Sequence, residues 1–416
     1  VSAPPRPAAA ASRDVHRALA FLDAAMDAYT TGDRPRLPQS YADEAGLHRI
    51  GYTTDAALAI LAYLAHPARG SRQRAAVLGD ALLHAQDHDP EYADGRLRRG
   101  YPVDTMAPAA GPVVLSARPG LRASGAGDLA WAGIALAALA RRTGARRFGA
   151  GAARIGAWLV RHCRSAGPLG GFRAGVDADG RPVPHLYTAQ NADLVALFGA
   201  LARLTGDAGW LRQRAHAARF VGRMWSRADD RWLTGSPDGA ARGRGPATLD
   251  AQTHPWLALP RLRFRPALRY VERRLTVTDN ATCPNSTLRG DDSCTGVTFG
   301  MASMAADPGR PIEPGLPAPD PCAVWFEGTA QYACAARRDP AGAIRWTAVT
   351  ATIAAAQARP DARQNIGGRP LPARCGVPAA SSPLSTGDGG SGFHPVRHVG
   401  ATAWFVLAAA GVNPLG

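Results

Sequence analysis

The stretch that decides the fold is Asp55-Ala56-Ala57-Leu58-Ala59-Ile60-Leu61-Ala62-Tyr63-Leu64, which is apolar on nearly every face. A helix that is hydrophobic all round is buried all round. The same texture returns after five other residues: Asp128, Asp193, Asp250, Glu327 and His398. The sequence therefore predicts six inner helices, whose many Ala and Gly residues permit close approach.

A second texture alternates with the first and is amphipathic, with arginines along one face. These segments, predicted as outer helices, are His16 to Tyr29, Gln73 to Gln86, Arg146 to Cys163, Trp210 to Met224, Leu262 to Arg274, and Ala341 to Gln357. Two connections, 140–144 and 202–206, are alike and end in Gly, which suits a left-handed helix C-cap. Six such pairs, at spacings of roughly 57–77 residues, predict an all-α fold, a closed (α/α)6 toroid of six helical hairpins with its long loops on one face. A solenoid is the alternative, but it favours more uniform repeats and polar end caps.

Length and composition predict one large domain. The chain has 416 residues, of which 46% are hydrophobic, enough for a sizeable core. Residues 1–13, rich in Ala, Pro and Ser, are expected to be a disordered stub, and residues 14–416 a single toroid domain. The composition of the stub is typical of what remains after a signal peptide is removed, so we expect a secreted protein, extracellular or periplasmic. We expect no membrane association, because no uncharged apolar run is long enough to span a bilayer.

The formal net charge of +15 comes almost entirely from arginine. The arginines are scattered, without a dense basic block, so we expect no nucleic-acid partner, while an anionic substrate stays open. The six cysteines include no CxxC pair, and we expect no metal and no cofactor. An even number of cysteines in an exported protein favours at least one disulfide bond, and Cys283 with Cys294 is the best local pair. Buried, reduced cysteines are the alternative for Cys163 and Cys334. We expect a monomer.

The sharpest feature is the polar residue at the start of each predicted inner helix. Five starts carry a carboxylate and the sixth carries His398. In a toroid all inner helices begin on one face, so these side chains are expected to converge at the mouth of the central cavity. Acidic residues are also favoured at helix N-termini for electrostatic reasons, which is the competing explanation for each one singly.

A ring of carboxylates is suited to cleavage of a glycosidic bond, which needs one carboxyl group as acid and another as base or nucleophile. Glu327 follows Val324-Trp325-Phe326, a hydrophobic setting that favours a raised pKa, so we predict it as the acid. Asp128 begins the helix opposite that of Glu327 and is the predicted base, and the wide separation implies inversion. One of Asp55, Asp193 and Asp250 could take its place as the base. The predicted substrate-binding residues are Asp55, Asp193, Asp250, Asn191, Gln252, His398, Tyr187, Trp131 and Trp325.

The layout resembles bacterial secreted (α/α)6-toroid proteins of the six-hairpin glycosidase superfamily. The resemblance is carried by the segments 52–59, 127–131, 190–193, 249–253, 325–331 and 398–405. Trp325-Phe326-Glu327-Gly328-Thr329-Ala330 is the most specific of them. The resemblance implies the toroid fold and chemistry on carbohydrate, in a superfamily that includes hydrolases, lyases and epimerases. The double-Asp motif of some α-mannanases is absent from the inner helix starts.

These features predict a secreted glycoside hydrolase that cleaves a polysaccharide or oligosaccharide. Two alternatives stay open. The first is a polysaccharide lyase that acts on a uronic-acid polymer through His185 and Tyr187, aided by nearby arginines such as Arg96, Arg98 and Arg99. The second is a toroid that binds carbohydrate without turning it over.

Overall fold

The structure is a computed structural model that describes residues 8–43, 49–66, 70–105, 112–340, 346–359, 364–387 and 391–416. Fourteen α-helices lie within these residues. They are α1 (Ala8–Met26), α2 (Thr53–Ala65), α3 (Ser71–Asp87), α4 (Pro119–Arg122), α5 (Ala126–Thr143), α6 (Arg146–Cys163), α7 (Thr188–Thr205), α8 (Ala208–Arg223), α9 (Asp250–Ala258), α10 (Pro266–Arg274), α11 (Met301–Met304), α12 (Phe326–Arg337), α13 (Trp346–Ala358) and α14 (Val399–Ala410). A single 3-10 turn, Leu262–Phe264, precedes α10.

Six of these helices close an inner ring, packing in the order α2, α5, α7, α9, α12, α14 and back to α2. Each inner helix also packs against an outer helix: α3, α6, α8, α10, α13 and α1, taken in the same order. The predicted all-α toroid of six hairpins is therefore confirmed. Since α1 pairs with α14, the first helix in the chain is the outer partner of the last.

The composition of the inner helices explains why they pack so closely. Gly133 of α5 shows this, because a Cβ atom there would lie 2.6 Å from a methyl group of Leu197 on α7. Helices α5 and α7 both end at a glycine with positive φ, Gly144 at 72° and Gly206 at 73°. The N–H groups of these glycines bond to Ala140 O and Ala202 O, which is the predicted C-cap.

Short antiparallel strands connect the helices. They are β1 (Ile50–Tyr52), β2 (Gly100–Pro102), β3 (Ser124–Gly125), β4 (Gly175–Val176), β5 (Pro182–Val183), β6 (Leu186–Tyr187), β7 (Trp225–Ser226), β8 (Arg231–Trp232), β9 (Gly235–Ser236), β10 (Thr276–Asn280), β11 (Ser293–Val297), β12 (Asn365–Ile366), β13 (Arg369–Pro370), β14 (Val377–Pro378), β15 (Leu384–Ser385), β16 (Gly392–Phe393) and β17 (Arg397–His398). They pair as β1–β2, β3–β4–β5, β6–β9, β7–β8, β10–β11, β12–β13, β14–β17 and β15–β16.

These pairings hold the starts of the inner helices in place. Strands β1, β3, β6 and β17 run directly into α2, α5, α7 and α14. The first three are each paired to a strand of another loop, whereas β17 is paired to β14 of its own loop and His398 is bridged to Tyr41 in the loop before α2. Isolated β-bridges to another loop precede the other two inner helices. Thr248 is bridged to Gly300 before α9, and Trp325 is bridged to Ala380 before α12. The mouth of the ring is therefore a collar of paired backbone that fixes where the first side chains of each inner helix lie.

Three details differ from the sequence-based predictions. Helix α1 already begins at Ala8, within the stub predicted for residues 1–13, because its Ala-rich start favours helix; residues 1–7 lie outside the described part of the chain. Helix α13 is described from Trp346, so the predicted start at Ala341 also lies outside it. All six cysteines are unbonded: Cys294 is buried on β11, and Cys283 lies near Cys322 instead. Among the described residues, no helix combines the length and the hydropathy that a membrane span requires.

Candidate active site

The acidic residues at the mouth of the ring are not helix caps. The N-cap positions of α2, α5, α7, α9 and α12 are Tyr52, Gly125, Tyr187, Leu249 and Trp325, and no side chain at them makes a capping hydrogen bond. Only His398 caps its helix, accepting the N–H of Ala401 at Nδ1 over 3.2 Å. Capping by an N-cap side chain therefore does not account for these carboxylates, although Asp55, Asp128, Asp250 and Glu327 do lie in the first turns of their helices, where a negative charge is favourable.

His398 links two of these carboxylates. Its Nε2 lies 3.2 Å from Asp55 Oδ2, and its Nδ1 lies 3.6 Å from Glu327 Oε2. Because Nδ1 accepts the Ala401 N–H, the neutral imidazole carries its proton on Nε2 and donates it to Asp55. Tyr41 stacks on the imidazole with ring centroids 4.2 Å apart, which fixes its plane.

Gly400 makes this convergence possible. A Cβ atom at residue 400 would lie 2.7 Å from both Asp55 Oδ1 and Glu327 Oε2. The first turn of α14 therefore leaves just enough room for two carboxyl groups to approach the same imidazole.

The electrostatic setting keeps Glu327 protonated near neutrality. Burial raises its pKa to about 7, and the nearby Asp55 carboxylate adds to the rise, while His398, His254 and Gln331 oppose it. Burial alone would lower the pKa of His398, but Asp55 and Glu327 outweigh it and the pKa is raised. The site thus holds a neutral carboxylic acid next to an imidazole that favours the charged form.

A second imidazole–carboxylate pair lies on the neighbouring helices. His254 Nδ1 is 2.8 Å from Asp193 Oδ1, and both side chains are almost fully buried. Burial raises the pKa of Asp193, an effect partly opposed by His254 and the Trp131 indole. The pKa of His254 is raised because Asp193 and Asp250 outweigh the opposing effect of burial. Nε2 of His254 is buried and has no hydrogen-bond partner among the described residues, which leaves it available to a ligand.

Asp128 lies on α5, opposite α12 in the ring, as predicted. Its Oδ1 accepts a hydrogen bond of 2.7 Å from Thr54, and its Oδ2 lies 3.5 Å from Arg99 Nε. Its side chain is 16% exposed, and that of Arg99 is 51% exposed, so this side of the mouth is open to solvent. A carboxyl group that water can reach is what a base that activates water requires.

Two of the predicted substrate-binding residues instead support the collar. Asn191 accepts the N–H of Phe172 and donates to the carbonyls of Phe172 and Tyr187. Gln252 makes the equivalent pair of bonds to the backbone of Trp232. Both amides are fully buried, so their hydrogen-bonding groups hold loops in place and do not face the cleft. The substrate-binding role predicted for them is therefore corrected to a structural one.

The other predicted residues lie in different settings around the mouth. The carboxylate of Asp250 is engaged by its sequence neighbours: Oδ1 accepts hydrogen bonds from the Thr248 hydroxyl at 2.5 Å and from the Ala251 N–H at 2.7 Å. Trp131 is buried and lies edge-on to both His254 and Trp404. Tyr187 is exposed and stacks on the exposed His185, with ring centroids 6.0 Å apart.

An aromatic wall stands beside His398 and consists of Phe299, Trp325 and Phe393. Trp325 packs on Phe299 and Phe393 at centroid distances of 5.0 and 5.4 Å, and Phe393 lies 6.3 Å from His398. Nε1 of Trp325 is buried without a hydrogen-bond partner among the described residues. Such a wall suits a sugar ring, because the C–H groups of the sugar can pack on the aromatic rings and a sugar hydroxyl can accept a hydrogen bond from the indole N–H.

Sequence reasoning missed Tyr41, His254 and Phe393. His254 left a signal, since it lies four residues after Asp250 and so on the same helical face. Tyr41 forms an isolated bridge and Phe393 lies on the two-residue strand β16, and such short stretches have no periodicity that indicates which side chains turn inward.

Comparison with known proteins places the fold. No protein-family profile matches the chain, and no curated protein matches its sequence. A D-mannose isomerase structure matches with a TM-score of 0.61 and 12% identity, over 97% of this chain and 98% of that chain. A cellobiose 2-epimerase from Spirochaeta thermophila also matches with a TM-score of 0.61 and 12% identity, over 98% of both chains. A family 76 glycoside hydrolase from a bovine Bacteroides thetaiotaomicron strain matches with a TM-score of 0.58 and 12% identity, over 96% of this chain and 77% of that one.

The neighbours thus include a sugar isomerase, a sugar epimerase and a glycoside hydrolase. At such low identity they define the fold, the all-α toroid, and leave the reaction to be argued from the site.

Proposed function

We propose that this protein is a glycoside hydrolase in which Glu327 is the general acid. The observation that carries the proposal is the Glu327 carboxyl, 14% exposed at the mouth of the ring, where desolvation raises its pKa to about 7. A carboxylic acid that keeps its proton near neutral pH can donate it to the oxygen of a departing sugar. The Asp55–His398 pair positions this group, because His398 contacts Glu327 on one side and is anchored on the other.

Asp128 is the proposed base, and inversion the proposed outcome. It lies across the ring from Glu327, and the open side of the mouth admits water next to it. Inverting glycosidases keep their two carboxyl groups far enough apart for that water. Asp193 is the rival base, but its carboxylate is already paired with His254.

The proposed substrate is a polysaccharide or oligosaccharide. The partly exposed Phe299 and Phe393 of the aromatic wall, backed by the buried Trp325, and the exposed Tyr187 would provide surfaces on which sugar rings stack. The half-exposed Arg99 beside Asp128 and the net charge of +15 favour a polymer that carries carboxylate or sulfate groups. We further propose that the protein acts as a secreted monomer.

The experiment is digestion of a panel of neutral and anionic polysaccharides by the parent and by Glu327→Gln. The amide keeps the shape of the side chain but cannot donate a proton, so we expect new reducing ends to form at least about a hundredfold more slowly. Glu313→Gln is the matched control, because Glu313 is exposed in a loop, and it should retain full activity. Full activity in Glu327→Gln would contradict the assignment of the acid.

A sugar epimerase or isomerase is the second candidate, favoured by one observation. Two imidazole–carboxylate pairs, His398 with Asp55 and His254 with Asp193, face the same mouth. Two imidazoles could remove and return a proton at a carbon next to a sugar carbonyl. Incubation of reducing sugars in D2O separates the candidates: deuterium at C2, lost in both His254→Asn and His398→Asn, would indicate isomerisation, and reducing ends without deuterium would indicate hydrolysis.

The lyase alternative has less support. His185 and Tyr187 both lie exposed at the rim, whereas the two imidazole–carboxylate pairs are buried in the mouth.

A further inference from the structure

The long segment between α10 and α12 holds a cluster of two cysteines and an aspartate away from the carboxylates of the mouth. One ligand atom each from Cys283, Asp320 and Cys322 lies within 4.8 Å of the others. We call these three residues the thiol–carboxylate cluster. They come from two turns that are far apart in the sequence, so the cluster exists only when this segment is folded.

Asp320 is the unusual member, because it is a nearly fully buried carboxylate with unused capacity. The residue is 2% exposed, and its Oδ1 accepts a hydrogen bond of 2.8 Å from the N–H of Cys322. Oδ2 has no hydrogen-bond partner among the described residues. A buried carboxylate oxygen without a donor costs several kcal/mol unless a cation or proton satisfies it.

The surroundings of the cluster are already organised. Asp279 is fully buried and accepts hydroxyl hydrogen bonds from Ser286, Ser381 and Ser382, at 2.6, 2.5 and 2.7 Å. Ser381 Oγ in turn accepts the N–H of Val324, close to the start of α12. The cluster therefore lies against a rigid hydrogen-bonded frame, as metal ligands usually do.

We propose that Cys283, Asp320 and Cys322 bind a thiophilic divalent cation, namely Zn²⁺, with water as the fourth ligand. Two thiolates and a carboxylate match the ligand preferences of zinc and give a site that is tetrahedral with one water. Binding releases the two thiol protons to solvent, so no oxidant or reductant is required. The cation would neutralise the buried Asp320 carboxylate and tie the two turns together.

The role of the ion would be structural. Cys322 precedes Glu327 by five residues, and Trp325 N bonds to Val297 O at the far end of β11. Binding would therefore hold the segment that leads into α12. The proposal does not depend on which sugar reaction the mouth performs.

The test is metal content and affinity of the purified, reduced full-length protein. After exposure to ZnCl2 and removal of free metal, we expect about one zinc per chain by mass spectrometry of the element. Cys322→Ser and Asp320→Asn should each weaken zinc binding at least about tenfold in a competition assay with a chromophoric chelator. Cys163→Ala is the matched control, because this cysteine is buried at the end of α6, and it should bind zinc as the parent does.

A second measurement uses only the parent protein, so it tests the proposal even if a variant fails to fold. The parent titrated with Co²⁺ should develop thiolate-to-cobalt charge-transfer absorption, which zinc then removes. Absence of that absorption together with absence of bound zinc would overturn the proposal. So would a Cys283–Cys322 disulfide found by peptide mapping of protein alkylated before reduction, since the sulfurs would then be bonded to each other.

Discussion

At the scale of single residues, the site depends on what burial does to one carboxyl group. Glu327 is surrounded by protein on every side but the mouth, and Asp55 lies on the other side of the same imidazole. Burial and the nearby negative charge act in the same direction on its pKa. Asp128, across the ring, has a similar exposed fraction, 16% against 14% for Glu327, but it is held by hydroxyl and guanidinium donors, so the two carboxyl groups differ in their polar partners.

This difference predicts the pH dependence of activity. The acid must be protonated to act, so kcat/KM should fall about tenfold per unit as pH rises above about 7, the pKa of Glu327. The rates of hydrolysis between pH 5 and pH 9 provide the measurement. Asp128→Asn should be slower throughout but keep the alkaline decline, because it leaves Glu327 in place. A parent rate that stays constant up to pH 9 would contradict the role of Glu327.

At the scale of elements, the turns that join α5 to α6 and α7 to α8 each contain a glycine whose role is set by its backbone conformation alone. Gly144 and Gly206 have positive φ, and an added Cβ atom at either would meet nothing within 4 Å. Any effect of a side chain there is therefore strain in the backbone and not a clash.

We predict that Gly144→Ala and Gly206→Ala each lower the free energy of unfolding by about 1 kcal/mol, the cost of placing a Cβ atom in the left-handed region. Gly222→Ala is the control, because residue 222 lies in the last turn of α8 with equally open surroundings but without a positive φ. It should stabilise by about 0.5–1 kcal/mol, since alanine favours helix. Equal effects of all three variants in urea unfolding would contradict this explanation of the caps.

How much the sequence predicted differs between helices and loops. The inner helices were evident because burial on all sides leaves an unbroken apolar stretch, as in 55–64. The proximity of Glu327, Asp55 and His398 could be predicted because a ring of helices brings the starts of its inner helices together. The pairing of Cys283 was wrong, and the loop-supporting roles of Asn191 and Gln252 were missed, for one reason: the register of a long loop is set by contacts distant in sequence. Those contacts leave no local pattern.

At the scale of the whole molecule, the raised pKa of Glu327 has a cost in stability. The group ionises near pH 4.5 when unfolded but only near pH 7 when folded. Its contribution is therefore fully present below about pH 4.5 and is lost as pH rises through 7. The loss amounts to as much as about 3 kcal/mol, from 1.36 kcal/mol per unit of pKa difference.

Glu327→Gln should recover this energy while losing activity. We expect it to unfold at a temperature a few degrees above the parent at pH 8, and to show no such gain at pH 4.5. Thermal unfolding at both pH values measures the difference, and Glu313→Gln should show none at either. A variant equally or less stable than the parent at pH 8 would mean that the Glu327 carboxylate is well solvated when folded.

The pairing of His398 with Asp55 joins residues 343 positions apart. Closing so long a loop is entropically expensive, and it follows only after the intervening hairpins have shortened the effective path. We therefore expect the dyad to form only when α14 packs against α2 and the ring closes. Recovery of activity would report completion of the ring, and circular dichroism would recover sooner, as each hairpin forms. A chain lacking α14 would hold Glu327 and Asp55 but not the imidazole between them, so we expect the proposed activity to require the last helix.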